Sequence, residues 1–305
     1  MRLSIGIKSD PIQRRYSYEW LFNLMNRMGI SYVQLGSFFE MPLLDDEYFY
    51  ELREKAREYG VRIKSVFSAH REVEGFYVPD PCLRKVARKI YERYIHIASI
   101  LGADYAGTSP GCLNRDRMDY RKKGIEYFIS NLKELMHMAK EKGLKGLSIE
   151  IMSCAAEPPA TPQEISRFMN SLLPYHTANK DRTVPVYLLG DISHGYADAQ
   201  GRVIYSNYEI FEYAIPYMNE FHIKNTDAIF NKTFGFSEEE IKGGCVDLSK
   251  LKDIIEKNRD KWPVEEVTGY LEHLGPKVGR DYTDFKIEEI LIDSIKTINE
   301  ILKIQ

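Results

Sequence analysis

Apolar and polar positions along the chain follow two different periods. Short runs rich in β-branched residues lie between longer stretches in which apolar residues recur every three or four positions. The short runs predict eight strands, at 3–8, 32–36, 61–67, 104–109, 147–151, 186–191, 220–225 and 268–273. The longer stretches predict amphipathic helices. In the stretch 83–102, for example, one predicted face carries Val86, Ile90, Tyr94, Ile97 and Ile100.

Glycines mark the ends of several predicted helices. A glycine closes four of these stretches, as expected for a residue at a helix C-terminus: Gly29, Gly60, Gly102 and Gly143. The last predicted helix covers about 284–303, with Thr283 or Asp284 as its N-cap.

Eight strands alternating with helices predict a (β/α)8 TIM barrel. A doubly wound sheet also alternates, but it usually carries a glycine-rich phosphate loop after the first strand, and the stretch "SDPIQRRYSYEW" has no glycine. A barrel uses a chain of 305 residues as one unit, and no linker or low-complexity segment divides this one. We therefore expect a single TIM-barrel domain over residues 1–305.

Composition and charge indicate the class of protein and its expected location in the cell. Hydrophobic residues make up 44% and charged residues 29%, which is typical of a soluble globular protein, and a formal net charge of −3 does not favour nucleic acid or an anionic membrane as partner. The N-terminus has no signal-peptide pattern, and no apolar run is long enough to span a bilayer. The four cysteines are widely separated and predict reduced, mostly buried thiols in a cytoplasmic protein: Cys82, Cys112, Cys154 and Cys245.

Candidate chemistry is concentrated at the carboxyl ends of the last four predicted strands. These ends carry Glu150 in "SIEIM", Asp191 in "GDISHG", His222 in "FHIKN" and Glu272 in "YLEHLG". In a barrel, such ends surround a common cavity. Any one of these residues alone is more simply a salt-bridged acid or a hydrogen-bonded core histidine. Four in succession favour a divalent metal ion, because unpaired buried carboxylates are costly.

The pattern Glu, Asp-x-x-His, His, Glu over strands 5 to 8 resembles the sugar isomerases and epimerases of the xylose isomerase-like superfamily. It is most similar to ketose 3-epimerases of the D-tagatose 3-epimerase type. The segment "GGCVDL" (243–248) resembles the turn before that family's seventh helix, and "GPKVGRDYTD" (275–284) resembles a closing segment of some members.

The resemblance implies both a ligand set and a mechanism. It makes Glu150, Asp191, His222 and Glu272 the ligands of one divalent ion (Mn, Co, Mg or Zn), and it makes Glu150 and Glu272 an acid/base pair on opposite faces of a sugar. His194 would contact the substrate oxygen that the ion polarises. The reaction would remove a proton beside a carbonyl and pass through an enediolate. We also expect a homo-oligomer, a dimer or tetramer, acting on a small sugar.

Two departures from the family pattern suggest a different substrate from the free hexuloses of that group. The family's second substrate-binding Glu lies six residues after the first ligand, whereas the nearby acid here is Glu157, seven residues on. The family's Arg six residues after the metal-binding His is replaced by Ala228, so that Lys224 or Asn225 is the candidate substrate contact.

The sequence leaves two interpretations open for each of three further features. His70 is either a substrate contact or an ordinary loop histidine. Lys277 and Arg280 lie where many barrels bind phosphate, but they equally suit a solvated loop or a subunit contact. The segment 227–240, with three phenylalanines, either covers the site or packs against a second subunit.

The alternative function is an apurinic endonuclease of the endonuclease IV type, which uses the same superfamily fold with three zinc ions. His70 could be one of its ligands. However, the fourth strand ends "AGTSPG" without a histidine, and no Asp-x-His pair follows His222. A barrel kept only as a binding or scaffold protein is disfavoured because the full ligand set is present.

Overall fold

The structure is a computed structural model of the 305-residue chain. It describes residues 1–13, 16–36, 41–68, 75–230, 232–273 and 286–302. His70, Lys277, Arg280, the segment 275–284 and the predicted N-cap of the last helix lie outside these ranges.

All eight predicted strands are present, each within two residues of its predicted bounds. The strands are β1 (Arg2–Lys8), β2 (Tyr32–Gly36), β3 (Arg62–Ser68), β4 (Tyr105–Thr108), β5 (Gly146–Glu150), β6 (Val186–Asp191), β7 (Tyr196–Ala197), β8 (Val203–Tyr205), β9 (Met218–Ile223) and β10 (Glu266–Leu271). Eight of them form a closed barrel in the order β1-β10-β9-β6-β5-β4-β3-β2. Pairing is parallel between β1 and both of its neighbours, between β10 and β9, and from β3 through β6. A separate antiparallel pair, β7 and β8, follows β6.

Helices connect the barrel strands, as the TIM-barrel prediction requires. In the described ranges they are α1 (Asp10–Gln13), α2 (Tyr18–Arg27), α3 (Asp46–Glu58), α4 (Pro81–Leu101), α5 (Arg121–Glu141), α6 (Pro162–Ala178), α7 (Asn207–Ala214), α8 (Glu238–Gly243), α9 (Leu248–Lys257) and α10 (Ile287–Leu302). None of the helices in these ranges is both long enough and apolar enough to cross a membrane.

Local sequence signals account for the helix ends. Asp80 caps α4 by accepting hydrogen bonds from the backbone N–H groups of Cys82 and Leu83, and Gly102 ends α4 with a left-handed φ of 67°. Asp247 caps α9 in the same way, within the "GGCVDL" turn. The other three predicted helix-ending glycines, Gly29, Gly60 and Gly143, also have positive φ.

Residue contacts divide the chain into two compact units, each with its own apolar core. One consists of Met1–Gln34, Glu54–Arg62 and Gly190–Gln305, and the other of Leu35–Arg53 and Ile63–Leu189. In the first unit, Phe211, Phe221 and Trp262 form a cluster of ring contacts. In the second, Phe128 contacts Phe76, Tyr77 and Phe168. That residues 1–305 act as a single domain stays a prediction.

The prediction that the cysteines are mostly buried is wrong. All four are free thiols, as expected, but Cys82 and Cys245 are exposed and Cys112 and Cys154 are half-buried. The reason is their position. Cys82 lies in the solvent-facing first turn of α4, Cys112 and Cys154 lie in segments that follow strands, and Cys245 lies between α8 and α9.

Candidate metal centre

The structure brings the four candidate ligands together. Glu150 ends β5, Asp191 ends β6, His222 lies in β9 and Glu272 directly follows β10. All four are buried, with relative exposures of 4%, 3%, 0% and 5%. Each offers one ligand atom, and these four atoms all lie within 4.8 Å of one another. In the described part of the chain, this is the group of acidic and histidine side chains that could hold a metal ion.

The turn "GDISHG" fixes the direction of the Asp191 carboxylate. Oδ1 accepts hydrogen bonds from the Ser193 backbone N–H and hydroxyl, both at 2.8 Å. The other oxygen, Oδ2, faces the remaining candidate ligands. Gly190 lies just before Asp191, and a Cβ there would lie 2.2 Å from the Met218 sulfur of β9, so that a larger residue would have to displace the Met218 side chain. A small residue at this point therefore lets the end of β6 reach its buried position.

Gln34 fixes the orientation of the His222 ring. The Nε2 atom of His222 lies 2.7 Å from Gln34 Oε1, an acceptor that suits a proton on Nε2. Nδ1 then faces the carboxylates, 3.1 Å from Glu272 Oε2 and 3.9 Å from Asp191 Oδ2. Metal-binding histidines are held in this way by a partner on the other ring nitrogen. Gln34 was not predicted, although a polar residue inside the apolar run "YVQLG" was a signal for a buried polar contact. The structure shows that its side chain has no exposed surface.

A buried lysine, Lys8, contacts one of the two oxygens of Glu272, Oε1, which we call its outer oxygen. Lys8, at the end of β1, donates to Glu272 Oε1 at 2.6 Å and lies 3.5 Å from Asp10 Oδ1. Burial raises the pKa of Glu272, but the ammonium groups of Lys224 and Lys8 outweigh it and hold that pKa well below its usual range. Glu272 is therefore a carboxylate at neutral pH.

Asp10 is a further buried acid beside this group. Its exposure is 1%, and neither carboxylate oxygen has a hydrogen bond of good geometry. Burial raises the pKa of Asp10 against the attraction of Lys8. Sequence reasoning missed both residues, even though Lys8 ends the first strand and Asp10 follows it by two residues, close to the strand-end position that identified the four ligands.

Two predicted substrate contacts, His194 and Lys224, lie against the ligands. His194 Nε2 is 3.2 Å from Asp191 Oδ2. Lys224 Nζ is 2.7 Å from the same oxygen and 3.0 Å from Glu272 Oε2. Burial raises the pKa of Asp191, but the charges of His194 and Lys224 lower it more, and the net pKa lies below its usual value.

Glu157 is not a member of the four-residue group. It is half-buried in the segment after β5, where its backbone N–H donates to the carbonyl of Cys154 at 3.1 Å. Its carboxylate helps to raise the pKa of the Cys154 thiol, after the larger effect of burial. A substrate role for Glu157 stays a prediction, and the one for His70 concerns a residue outside the described ranges.

The segment after β9 folds onto its own chain. Asn225 and Phe234 exchange backbone hydrogen bonds of 2.7 and 3.1 Å. The Phe230 ring covers Gly195, where a Cβ would lie 2.1 Å from the ring. Phe236 is buried, whereas Ile229 is 52% exposed. The segment therefore covers the end of "GDISHG", and Ile229 is left as an exposed apolar side chain.

A separate cavity of about 460 Å³ lies at the amino ends of the strands. Its lining includes the ion pair of Arg2 and Glu266, together with Ser4 and Tyr32. The candidate ligands lie at the opposite, carboxyl ends of their strands. This cavity is therefore not part of the candidate metal site.

The chain belongs to the xylose isomerase-like TIM barrel family, whose model matches residues 22–281. This is the superfamily that the ligand pattern predicted. Among curated protein sequences the chain has no match.

Solved structures share the fold over nearly the whole chain. D-psicose 3-epimerase from Clostridium cellulolyticum H10, solved with D-tagatose, is 16% identical with a TM-score of 0.72, and 99% of each chain is covered. The IolI protein with a bound zinc atom is 18% identical with a TM-score of 0.69, covering 99% of this chain and 98% of that one. An L-ribulose 3-epimerase is 14% identical with a TM-score of 0.66, covering 98% and 94%. At these identities the likeness supports the fold alone.

Proposed function

We propose that the protein is a metal-dependent sugar or sugar-phosphate isomerase or epimerase. The observation that carries the proposal is the buried group of Glu150, Asp191, His222 and Glu272, with ligand atoms within 4.8 Å of one another. Membership of the xylose isomerase-like family and the sugar epimerases among its structural neighbours support the same class.

The residues fit a divalent ion. Three carboxylates and one imidazole suit Mn, Co, Mg or Zn. Asp191 Oδ2 and Glu272 Oε2 are buried and have no hydrogen bond of good geometry, and the ammonium of Lys224 is a cation that lies within ion-pair distance of both. The Nδ1 atom of His222 faces the same space. When bound, the ion would act as a Lewis acid toward negative charge developing on the substrate oxygens.

The protein's own side chains would then move the proton. Glu272, which is ionised at neutral pH, can accept a proton from the carbon beside a carbonyl, and Glu150 can return one on the other face or at the neighbouring carbon. His194 and Lys224 are the candidate contacts to substrate oxygens, with Glu157 as a more distant candidate.

Metal content and two conservative substitutions test this proposal. Purified protein should carry about one divalent ion per chain, and EDTA should remove the ion and the activity together. Glu150→Gln and Glu272→Gln should each abolish turnover with an unchanged circular dichroism spectrum. The exposed Glu238→Gln is the matched control and should keep full turnover. Either active-site variant within about tenfold of wild type would rule out the two-carboxylate mechanism.

The endonuclease alternative is not favoured. Three zinc ions need a larger ligand set, and the described residues form one group of four. About three ions per chain, together with cleavage of DNA at abasic sites, would reverse this conclusion. The cytoplasmic location, the homo-oligomeric state and the choice of manganese among the possible ions stay predictions.

A further inference from the structure

Lys224 places a positive charge between two of the candidate metal ligands. It follows β9 two residues after His222, so that both side chains project toward the same side of the extended chain. Its ammonium lies 2.7 Å from Asp191 Oδ2 and 3.0 Å from Glu272 Oε2, and its side chain is 9% exposed.

The two oxygens that Lys224 contacts are the inner ones. Ser193 occupies the other oxygen of Asp191, and Lys8 occupies the other oxygen of Glu272. A metal ligated by these carboxylates within the group would therefore use the same oxygens that Lys224 contacts. With metal–oxygen distances of about 2.0–2.2 Å, an ion and the ammonium at 2.7 Å from one oxygen would lie at most about 5 Å apart. Their mutual repulsion at that distance, in a buried site, is strongly unfavourable.

We infer that Lys224 and a divalent ion compete for Asp191 Oδ2 and Glu272 Oε2, so that metal uptake requires the Lys224 ammonium to leave this position. The inference rests on the metal-dependent function proposed above. Before the ion binds, the charge of Lys224 would then partly neutralise the negative charge of the acidic ligands. Lys8, on the outer oxygen of Glu272, has no such conflict and acts as a positioning residue.

The test measures metal affinity rather than activity. Lys224→Met keeps much of the length of the side chain and removes its charge. Because no charge-assisted contact has to be broken, the Kd for Mn²⁺ and for Zn²⁺, measured by chelator competition, should fall by about ten- to a hundredfold, equivalent to about 1.4–2.7 kcal/mol. EDTA-treated Lys224→Met should also have a lower Tm than EDTA-treated wild type, and it should gain more in Tm from added ion.

Three variants separate competition from simpler effects. Lys224→Arg keeps the charge and should not bind the ion more tightly. Lys8→Met removes an equal charge from the outer oxygen of Glu272 and should not reproduce the gain. Lys242→Met removes an exposed charge and should behave as wild type. If Lys224→Met does not fold, Lys224→Gln serves with the same readouts.

The outcomes distinguish this inference from the proposed function. If wild type binds one ion and the neutral Lys224 variants bind it no more tightly, competition is wrong and the metal-dependent function stands. If Lys8→Met tightens metal binding as much as Lys224→Met, the effect comes from the overall charge of the site. Competition for Asp191 Oδ2 and Glu272 Oε2 would then not be its cause. If wild type binds no divalent ion, both the function and the inference are wrong.

Discussion

Replacing Glu240 with Gln should loosen the segment that leads from β9 to α8. Glu240 Oε1 accepts from the Gly235 backbone N–H at 2.9 Å and lies 2.8 Å from His273 Nε2. Its Oε2 accepts from the backbone N–H and hydroxyl of Ser237, at 3.1 and 2.7 Å. Since His273 directly follows Glu272, one carboxylate connects this segment to the end of β10.

The size of the effect follows from the pKa of Glu240. Burial raises this pKa, but the contacts with His273, Gly235 and Ser237 outweigh burial and lower it from 4.5 to about 2. At about 1.4 kcal/mol per pH unit, this corresponds to at most about 3 kcal/mol of stability. Because 16% of the side chain is exposed, we expect somewhat less, about 2 kcal/mol, for the charge that Glu240→Gln removes.

The lowered pKa of Glu240 also determines how the stability difference between wild type and Glu240→Gln changes with pH. A carboxylate whose pKa is lower in the folded state stabilises the fold above its unfolded pKa, and this stabilisation is lost as the pH falls toward the folded pKa. Wild type should therefore exceed Glu240→Gln in Tm at pH 7, and the two should converge as the pH falls from about 4.5 toward 2. Thermal unfolding followed by circular dichroism from pH 7 to about 3 measures this difference.

Glu238→Gln is the matched control, since the Glu238 side chain is 90% exposed and pairs with Lys242, whose side chain is 71% exposed. It should change stability by less than about 0.5 kcal/mol at any pH. The reasoning fails if Glu240→Gln behaves like this control at pH 7, or if its deficit stays constant down to pH 3.

The remaining predictions concern the metal group. Gln34→Leu removes the acceptor that orients His222, and the Kd for Mn²⁺ should rise by about ten- to a hundredfold; an unchanged Kd would mean that the ring is held by packing alone. Asp191→Asn should lose the ion and regain part of its turnover in excess metal. His194→Ala should keep the ion while turnover drops by about 10²–10⁴, without rescue by metal. Should His194→Ala lose the ion as readily as Asp191→Asn, His194 is itself a ligand.

The barrel and the placement of the ligands could be predicted because both follow from short-range patterns. Alternating strands and helices indicate the barrel, and a polar residue at the end of an apolar strand lies at a common rim. That rule brings Glu150, Asp191, His222 and Glu272 together in the structure. It applies equally to Lys8, which ends β1 and pairs with Gln34 within β2, but neither residue is of a type that commonly binds metal ions.

Burial depends on long-range packing and was harder to predict. Helical spacing placed Val86 on the buried face of α4, yet it is 50% exposed, and the buried residues in that part of the helix are Ala87 and Tyr91. The buried face in this part of α4 is therefore displaced by one residue from the predicted face, and spacing alone cannot reveal this. The contacts of Lys224 with two acids depend on three distant segments meeting, for which no local signal exists.

Hydrogen exchange at carbon tests the central claim most directly. Metal-loaded protein would be incubated with a panel of ketoses and ketose phosphates in D2O, and deuterium uptake beside the carbonyl would be followed by NMR. The account predicts uptake with at least one sugar, lost on EDTA treatment and in both Glu150→Gln and Glu272→Gln. Turnover of a sugar without deuterium uptake, or undiminished uptake in either variant, would contradict proton transfer by these two carboxylates.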